Sequence, residues 1–373
     1  MRIGIDSRPF QGRLAGTGRY VLELCRALDV CLPEAELIIY GNRPFDFPFI
    51  SDRWKKSLDN SAFLSRMPAS IWYAERVGHF VDRDAIDVFW GAANFLPRSL
   101  PTKCRSLLTI HDLVGILMPD TLSFNHQVYN RMYFKSGVSR ATAVMTNSYG
   151  TADRLFGYFG RQTDVVVHPC ANEMFKPPLS DEIIRVRDRY DLHSNFVLAV
   201  ATLEPRKNLD NLIKAMMQLK SEQVIVVPDL VLVGQVGWKA RALLELIDSA
   251  RSRGMRVLQT GFVPDEDLPA LYAASSAFVF PSRYEGFGMP VLEALNCGAH
   301  VLASDVPEIR EAGGEYPRYF EPSLTGITNA LREFLCSDDY LKPDPARFYR
   351  SINQGSTWHQ QGRKLAKMMK SLV

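Results

Sequence analysis

Short apolar, β-branched runs alternate along the whole chain with stretches whose apolar positions recur every three or four residues. Arg2–Asp6, Leu37–Tyr40, Val88–Trp90, Ser106–Ile110, Ala143–Thr146 and Asp164–Val167 read as strands. After a break, so do Phe196–Val200, Asp229–Val233, Arg256–Gln259, Ala277–Phe280 and His300–Ala303. Between them, Leu209, Leu212, Ile213, Met216 and Leu219 trace one face of a helix, as do Leu268, Leu271, Tyr272 and Ser275. Strand–helix alternation of this kind predicts α/β architecture with parallel, doubly wound sheets.

The break falls at His168–Leu179 (HPCANEMFKPPL), which has three prolines and no periodicity and reads as a hinge. A chain of 373 residues is long for one core, so the expectation is two facing Rossmann-like domains, residues 1–170 and 171–355, with a ligand cleft between them. The last stretch, 356–373, is apolar on one side and is expected to form a helix crossing back to the first domain.

Composition narrows the class. With 46% apolar and 23% charged residues the chain reads as an ordinary globular protein. No apolar run approaches the roughly 20 residues that span a bilayer, and MRIGIDSRPF does not look like a signal peptide. Six scattered cysteines without a CxxC pair argue against a zinc site or disulfide framework and suit the cytoplasm. The net charge of +3 is too small to suggest nucleic acid; the first 170 residues hold 20 basic against 16 acidic, the rest 24 against 25.

Four places carry candidate chemistry. In Glu204-Pro-Arg-Lys-Asn-Leu209, Arg206 and Lys207 sit before a strongly periodic helix, where the macrodipole disfavours cations by about 0.3–1 kcal/mol each. Either they point into solvent or an anion occupies that helix mouth. Gly16-Thr-Gly-Arg-Tyr20 lies between the first strand and first helix; Val21 stands where a GxGxxG fingerprint needs its third glycine, which argues against a dinucleotide dehydrogenase and leaves Gly16 and Gly18 as a turn that lets backbone approach a ligand. In PSRYEGFGMPVLEALNCG, Gly286 and Gly288 are expected to form a turn and Pro290 suits the first helical turn; the N–H groups of Gly286, Phe287, Gly288 and Met289 would face an anion or sugar. Glu285 and Glu293 are expected to point toward one groove end, where carboxylates can accept from vicinal diols. Finally, His111 in LTIHDL ends an apolar strand at the cleft edge, as a structural or a catalytic histidine.

EPRKN after a strand, GFVPDEDLPALYAASSAFVFPS, and EGFGMPVLEAL with its E-x7-E spacing together resemble the retaining glycosyltransferases of family 4, which have the GT-B architecture. The likeness runs from RIGIDSRPF and GTGRY to the helix near Trp358, dense from Phe196 to Gly313. It implies that the second domain binds a nucleotide-diphosphate sugar. Arg206 and Lys207 would hold the diphosphate, Glu285 the donor hexose, Glu293 the ribose diol, and Gly286–Gly288 the sugar and phosphate. Val263 would lie by the nucleobase, Gly16 and Gly18 next to the diphosphate and acceptor, and His111 on the transferred sugar. Val200-Ala-Thr202 stands where the family has glycine before LEPRKN.

The resemblance implies retention by same-face displacement, with Arg206, Lys207 and helix N-termini stabilising the leaving diphosphate and no metal cofactor. An Asp-x-Asp, Asp82-Arg-Asp84, precedes a strand at its amino end and reads as a surface feature. The wording of EPRKN and TIHDL resembles bacterial mannosyltransferases of surface-polysaccharide (lipopolysaccharide or O-antigen) biosynthesis, which implies GDP-mannose first, then UDP-hexoses and dTDP-rhamnose, with a glycan or lipid-linked acceptor. Arg53–Lys56 through Ala62–Met67 to Ile71–Tyr73 interleaves cations with large apolar groups, as a peripheral contact with an anionic membrane would, or else forms a helical edge of the first domain. An isomerase of the nucleotide-sugar 2-epimerase kind and a non-catalytic sugar-nucleotide-binding subunit are the alternatives.

Overall fold

The computed structural model describes residues 1–12, 14, 16–48, 50–61, 63–223, 226–337 and 357–373. They divide into two compact units: Met1–Leu117 with Phe124–Pro169 and the C-terminal residues, and Cys170–Gln354 with the short turn Met118–Ser123. That turn, inside the expected first domain, thus belongs to the second unit. The expected 355/356 boundary lies outside the described residues, as does Ala62.

In the first unit the chain runs β1 (Arg2–Asp6), α1 (Gly16–Cys31), β2 (Glu36–Gly41), β3 (Trp54–Leu58), α2 (Ala69–Glu75), α3 (Val77–Arg83), β4 (Val88–Gly91), β5 (Arg105–Ile110), α4 (Val114–Leu117), α5 (Phe124–Arg140), β6 (Ala143–Thr146), α6 (Tyr149–Phe159) and β7 (Val165–Val166). The strands pair in parallel in the order β3-β2-β1-β4-β5-β6-β7. In the second come α7 (Ser180–Arg189), β8 (Phe196–Val200), α8 (Leu209–Glu222), β9 (Asp229–Val233), α9 (Arg241–Ser252), β10 (Val257–Gly261), α10 (Leu268–Ala274), β11 (Ala277–Phe280), α11 (Met289–Asn296), β12 (Val301–Ser304), α12 (Pro307–Gly313), β13 (Arg318–Phe320) and α13 (Leu324–Cys336). Its strands are also all parallel, in the order β10-β9-β8-β11-β12-β13.

Central strands such as β4, β6, β11 and β12 are buried at every residue, as helices on both faces require. The periodic face of α8, Leu209, Leu212, Ile213, Met216 and Leu219, lies against the second sheet's core. In each sheet the order reverses beside the first strand, between β1 and β4 and between β8 and β11; loops leaving such a reversal form the crevice where open α/β sheets bind ligands.

Two edge strands escape the sequence pattern. Arg53–Tyr73 is helical only in part: Trp54 opens β3 and Ile71–Tyr73 lies in α2, with Trp54, Trp72 and Tyr73 buried. Its cations are engaged locally, Arg53 with Asp29 and Lys55 with Glu36. Trp54, Trp72 and Tyr73 therefore pack into the core, while Phe63 is exposed. Arg318–Phe320, with one fully buried position, gives the other unpredicted strand, β13. A C-terminal helix, Trp358–Leu372, opens on a Thr357/Gln360 capping box and buries Leu365, Ala366 and Met369 in the first unit's core against α1. No helix among the described residues is long and apolar enough to cross a membrane.

Candidate active site

In the second unit, the loops leaving β8 and β11 are tied to each other. Pro205–Lys207 forms one 3₁₀ turn and Asn208, at φ 57°, hands the chain to α8 in the left-handed conformation that asparagine tolerates. Asn208 Nδ2 donates to the carbonyls of Pro281 (2.9 Å) and Pro322 (3.0 Å), while Arg283 Nε donates to its Oδ1 (2.9 Å). The Arg283 amide donates to the carbonyl of Arg206 (3.0 Å). These bonds fix where two cations stand.

Arg206 Nη2 donates to Glu204 (2.8 Å), and Nη1 to the Tyr284 carbonyl (2.8 Å) and Glu285 Oε2 (2.7 Å). Lys207 Nζ reaches the other oxygen of Glu285 at 2.6 Å. Glu285 is thus forked between both cations. Burial alone would raise its pKa, but Arg206 and Lys207 outweigh that and bring it down to about 2. Burial and the neighbouring Arg206 pull Lys207 below its ordinary value, against the attraction of Glu285. The two adjacent cations are part-buried before α8 and are balanced by Glu204 and Glu285.

The turn after β11 places its glycines where the chain needs them. Gly288 has φ +113° and precedes α11, with Pro290 in the first turn. Phe287 is buried in the core. Glu293 is buried one turn into α11 and accepts from the Tyr272 hydroxyl of α10 at 3.1 Å. Val263 follows β10 and is buried in the same core. At the end of β9, Gly234 has φ +138°, and a Cβ there would lie 2.0 Å from the Ala201 carbonyl. Gly234 thus lets the end of β9 lie against the Ala201 carbonyl, beside Val200-Ala-Thr202.

In the first unit, Gly16 and Gly18 are not a loop but the opening turn of α1. Gly18 is required by packing, since a Cβ would sit 2.4 Å from the Pro9 carbonyl; Gly16 has open space. Two residues on, the Tyr20 ring meets the edge of His111, centroids 5.3 Å apart. His111 is buried after β5, its Nε2 lies 2.7 Å from the Ala92 carbonyl and its amide donates to Asn94 (2.7 Å). Since a carbonyl only accepts, Nε2 carries the proton. Burial lowers its pKa despite that bond, which favours the neutral ring. Asp84 of the Asp-x-Asp pair is taken up by Arg83 and Tyr40.

Three residues of this architecture were not singled out from the sequence: Glu204, Asn208 and Tyr272. Glu204 and Asn208 stand inside EPRKN; an asparagine just before a periodic helix reads as a cap, but the Asn208 side chain makes no cap bond and ties Pro281 and Pro322 instead. Tyr272 carried only a core-facing periodicity, which says nothing of where its hydroxyl points.

Residues 180–327 match the family of glycosyl transferases group 1. Over 373 aligned positions the chain is 31% identical to the O-antigen chain mannosyltransferase B of Escherichia coli, covering 95% of this chain and 96% of that protein. The chain belongs to the group 1 glycosyltransferases. Solved structures share the fold of this glycosyltransferase throughout. Sucrose-phosphate synthase from Thermosynechococcus elongatus superposes with a TM-score of 0.76 at 19% identity, covering 100% of this chain and 99% of that one. WaaG, a glycosyltransferase involved in lipopolysaccharide biosynthesis, gives 0.72 at 17% identity, covering 99% of each. These neighbours identify the architecture as GT-B, two α/β units each with a parallel sheet.

Proposed function

We propose that this glycosyltransferase moves mannose from GDP-mannose to a glycan or lipid-linked acceptor of O-antigen-type polysaccharide, with retention at the anomeric carbon and without a metal. The observation that carries the reading is the pair Arg206 and Lys207, locked by Glu204, Glu285 and Asn208 at the strand-order reversal of the second sheet. Support for mannose comes from the relatives: the mannosyltransferase named above and, at 24% identity over 60% of this chain, the O-antigen chain mannosyltransferase RfbU of Salmonella typhimurium.

In this reading the donor's diphosphate lies on Arg206, Lys207 and the amides of Gly286–Met289. Glu293 takes the ribose hydroxyls, and Val263 borders the base. The bond from the anomeric carbon to the phosphate oxygen breaks as the acceptor oxygen approaches the same face, and that phosphate oxygen takes the acceptor's proton. Arg206 and Lys207 stabilise the charge developing on the diphosphate. Glu285, whose carboxylate stays ionised, supports positive charge on the hexose while it orients the cations. His111 is assigned to the transferred sugar as a neutral imidazole, and Gly16 to the backbone approach beside diphosphate and acceptor; Gly18 next to it holds that turn on Pro9. A lipid-linked acceptor would bring the enzyme, from the cytoplasmic side, to a peripheral contact with an anionic membrane.

The test is slow hydrolysis of candidate donors without acceptor. GDP-mannose is expected to give GDP and α-mannose faster than UDP-, dTDP- or ADP-sugars are cleaved. A β-anomer as first product, activity abolished by EDTA, or preference for another base would each overturn the corresponding part.

A further inference from the structure

The C-terminal helix Trp358–Leu372 carries Arg363, Lys364, Lys367 and Lys370 and no acidic residue. All four are exposed, and none has an ion-pair partner among the described residues. The helix crosses α1 closely at Gly362, where a Cβ would come 2.4 Å from that of Ala27. Beside this crossing lies a groove of about 450 Å³ walled by Val30, Cys31, His359, Arg363, Lys367 and Lys370. Two of the cations are felt at its floor: burial raises the Cys31 thiol, and Arg363 and Lys370 oppose that rise. Val30, at the rim, is 65% exposed.

We propose that this groove and the cationic face around it dock the first unit on an anionic bilayer, the groove taking the phosphate of a lipid headgroup. Arg363, Lys367 and Lys370 recur at four- and three-residue spacing, so they form one row of about 10 Å along the helix at 1.5 Å per residue. A one-sided row of like charges with an exposed valine beside it complements a flat, negatively charged surface. Each cation near such a surface multiplies partitioning about fivefold, on the order of 10²–10³ for four. The net charge of only +3 argues against a nucleic-acid partner, which would meet a broader basic field.

The inference refines the membrane contact proposed above by assigning it a surface. Its assay uses neither donor nor acceptor, so it fails or succeeds apart from the transferase reading. The full chain is sedimented with phosphatidylglycerol–phosphatidylcholine vesicles and with phosphatidylcholine vesicles alone, at low and high salt. The expected result is binding to the anionic vesicles only, weakened by salt, reduced about 30-fold by Lys367→Gln with Lys370→Gln and further by Lys367→Glu with Lys370→Glu. Both pairs are exposed, so thermal unfolding and donor hydrolysis in solution should be unchanged. No binding of the wild-type chain to anionic vesicles overturns the proposal. So does equal binding by the charge-reversed variant, or a groove that inorganic phosphate occupies while vesicles do not bind.

Discussion

The first strand of each unit's sheet leads to a charged cluster beside the strand-order reversal, yet the two clusters are built differently. After β1, Arg8 donates twice to one oxygen of Asp6, at 2.6 and 2.8 Å, and its guanidinium lies 3.7 Å above the Tyr73 ring. The pair is closed, one cation to one carboxylate, with the aromatic covering a face. After β8, Glu285 is forked between Arg206 and Lys207, and Lys207 uses one of its three donors on it. Both sites balance their charges, so the count does not distinguish them. A paired cation under a ring holds a fold together; adjacent cations sharing a carboxylate can still receive an anion.

The closed pair should therefore answer in stability. Asp6 is fully buried, and Asp6→Ala leaves Arg8 without its partner. Breaking such a pair costs about 3–5 kcal/mol, to be read by denaturant unfolding. Donor hydrolysis per folded molecule should change only a few-fold. A large loss of turnover with little loss of stability would erase the contrast between the two strand ends.

The forked site should answer in turnover. Arg206→Ala and Lys207→Ala are each expected to slow transfer about 10²–10³-fold, the loss of one preorganised partner to developing charge. Arg206→Lys should not rescue, because a single ammonium cannot reach Glu204, the Tyr284 carbonyl and Glu285 together. Steady-state rates within three-fold of wild type in both alanine variants would remove these residues from the chemistry.

Acid should separate the sites further. Glu285 falls from 4.5 to about 2 in the folded chain, so its contribution is fully present above pH 4.5 and is lost as pH drops toward 2. The shift corresponds to about 3 kcal/mol for this nearly buried group. Stability followed across that window should fall more steeply in the wild type than in Glu285→Gln. Parallel curves would mean that the fork does not hold Glu285 ionised.

How much of this was legible in the chain follows from what each pattern encodes. Parallel strands buried on both faces leave dense apolar runs, so β1, β6, β8, β9 and β11 are read to the residue. Edge strands do not: β3 reads WKKSL, with its cations turned outward, and imitates an amphipathic surface segment. At the site, helix-mouth electrostatics mark Arg206 and Lys207 in the sequence itself. What no spacing argument reveals is which carboxylate they share, since Glu285 lies 78 residues from Lys207 and meets it through loops tied by Asn208 and by the Arg283 amide. The same limit hid the C-terminal cations, whose meaning depends on the groove formed with α1.

The smallest effect should come from Glu293, the other carboxylate of the E-x7-E spacing. It is buried and accepts from the Tyr272 hydroxyl, a bond that orients it. A carboxylate offers two accepting oxygens to a diol and an amide only one, so Glu293→Gln keeps the shape and removes one acceptor. Losing one hydrogen bond to a charged group weakens binding by about 1.5 kcal/mol, or roughly tenfold. If the partner is the ribose, which does not change during transfer, the interaction is equal in ground and transition states. KM for the donor should then rise about tenfold with kcat within two-fold. A fall in kcat at unchanged KM would place Glu293 at the reacting sugar instead, and would move the chemistry of this unit from the Arg206–Lys207–Glu285 fork toward α11.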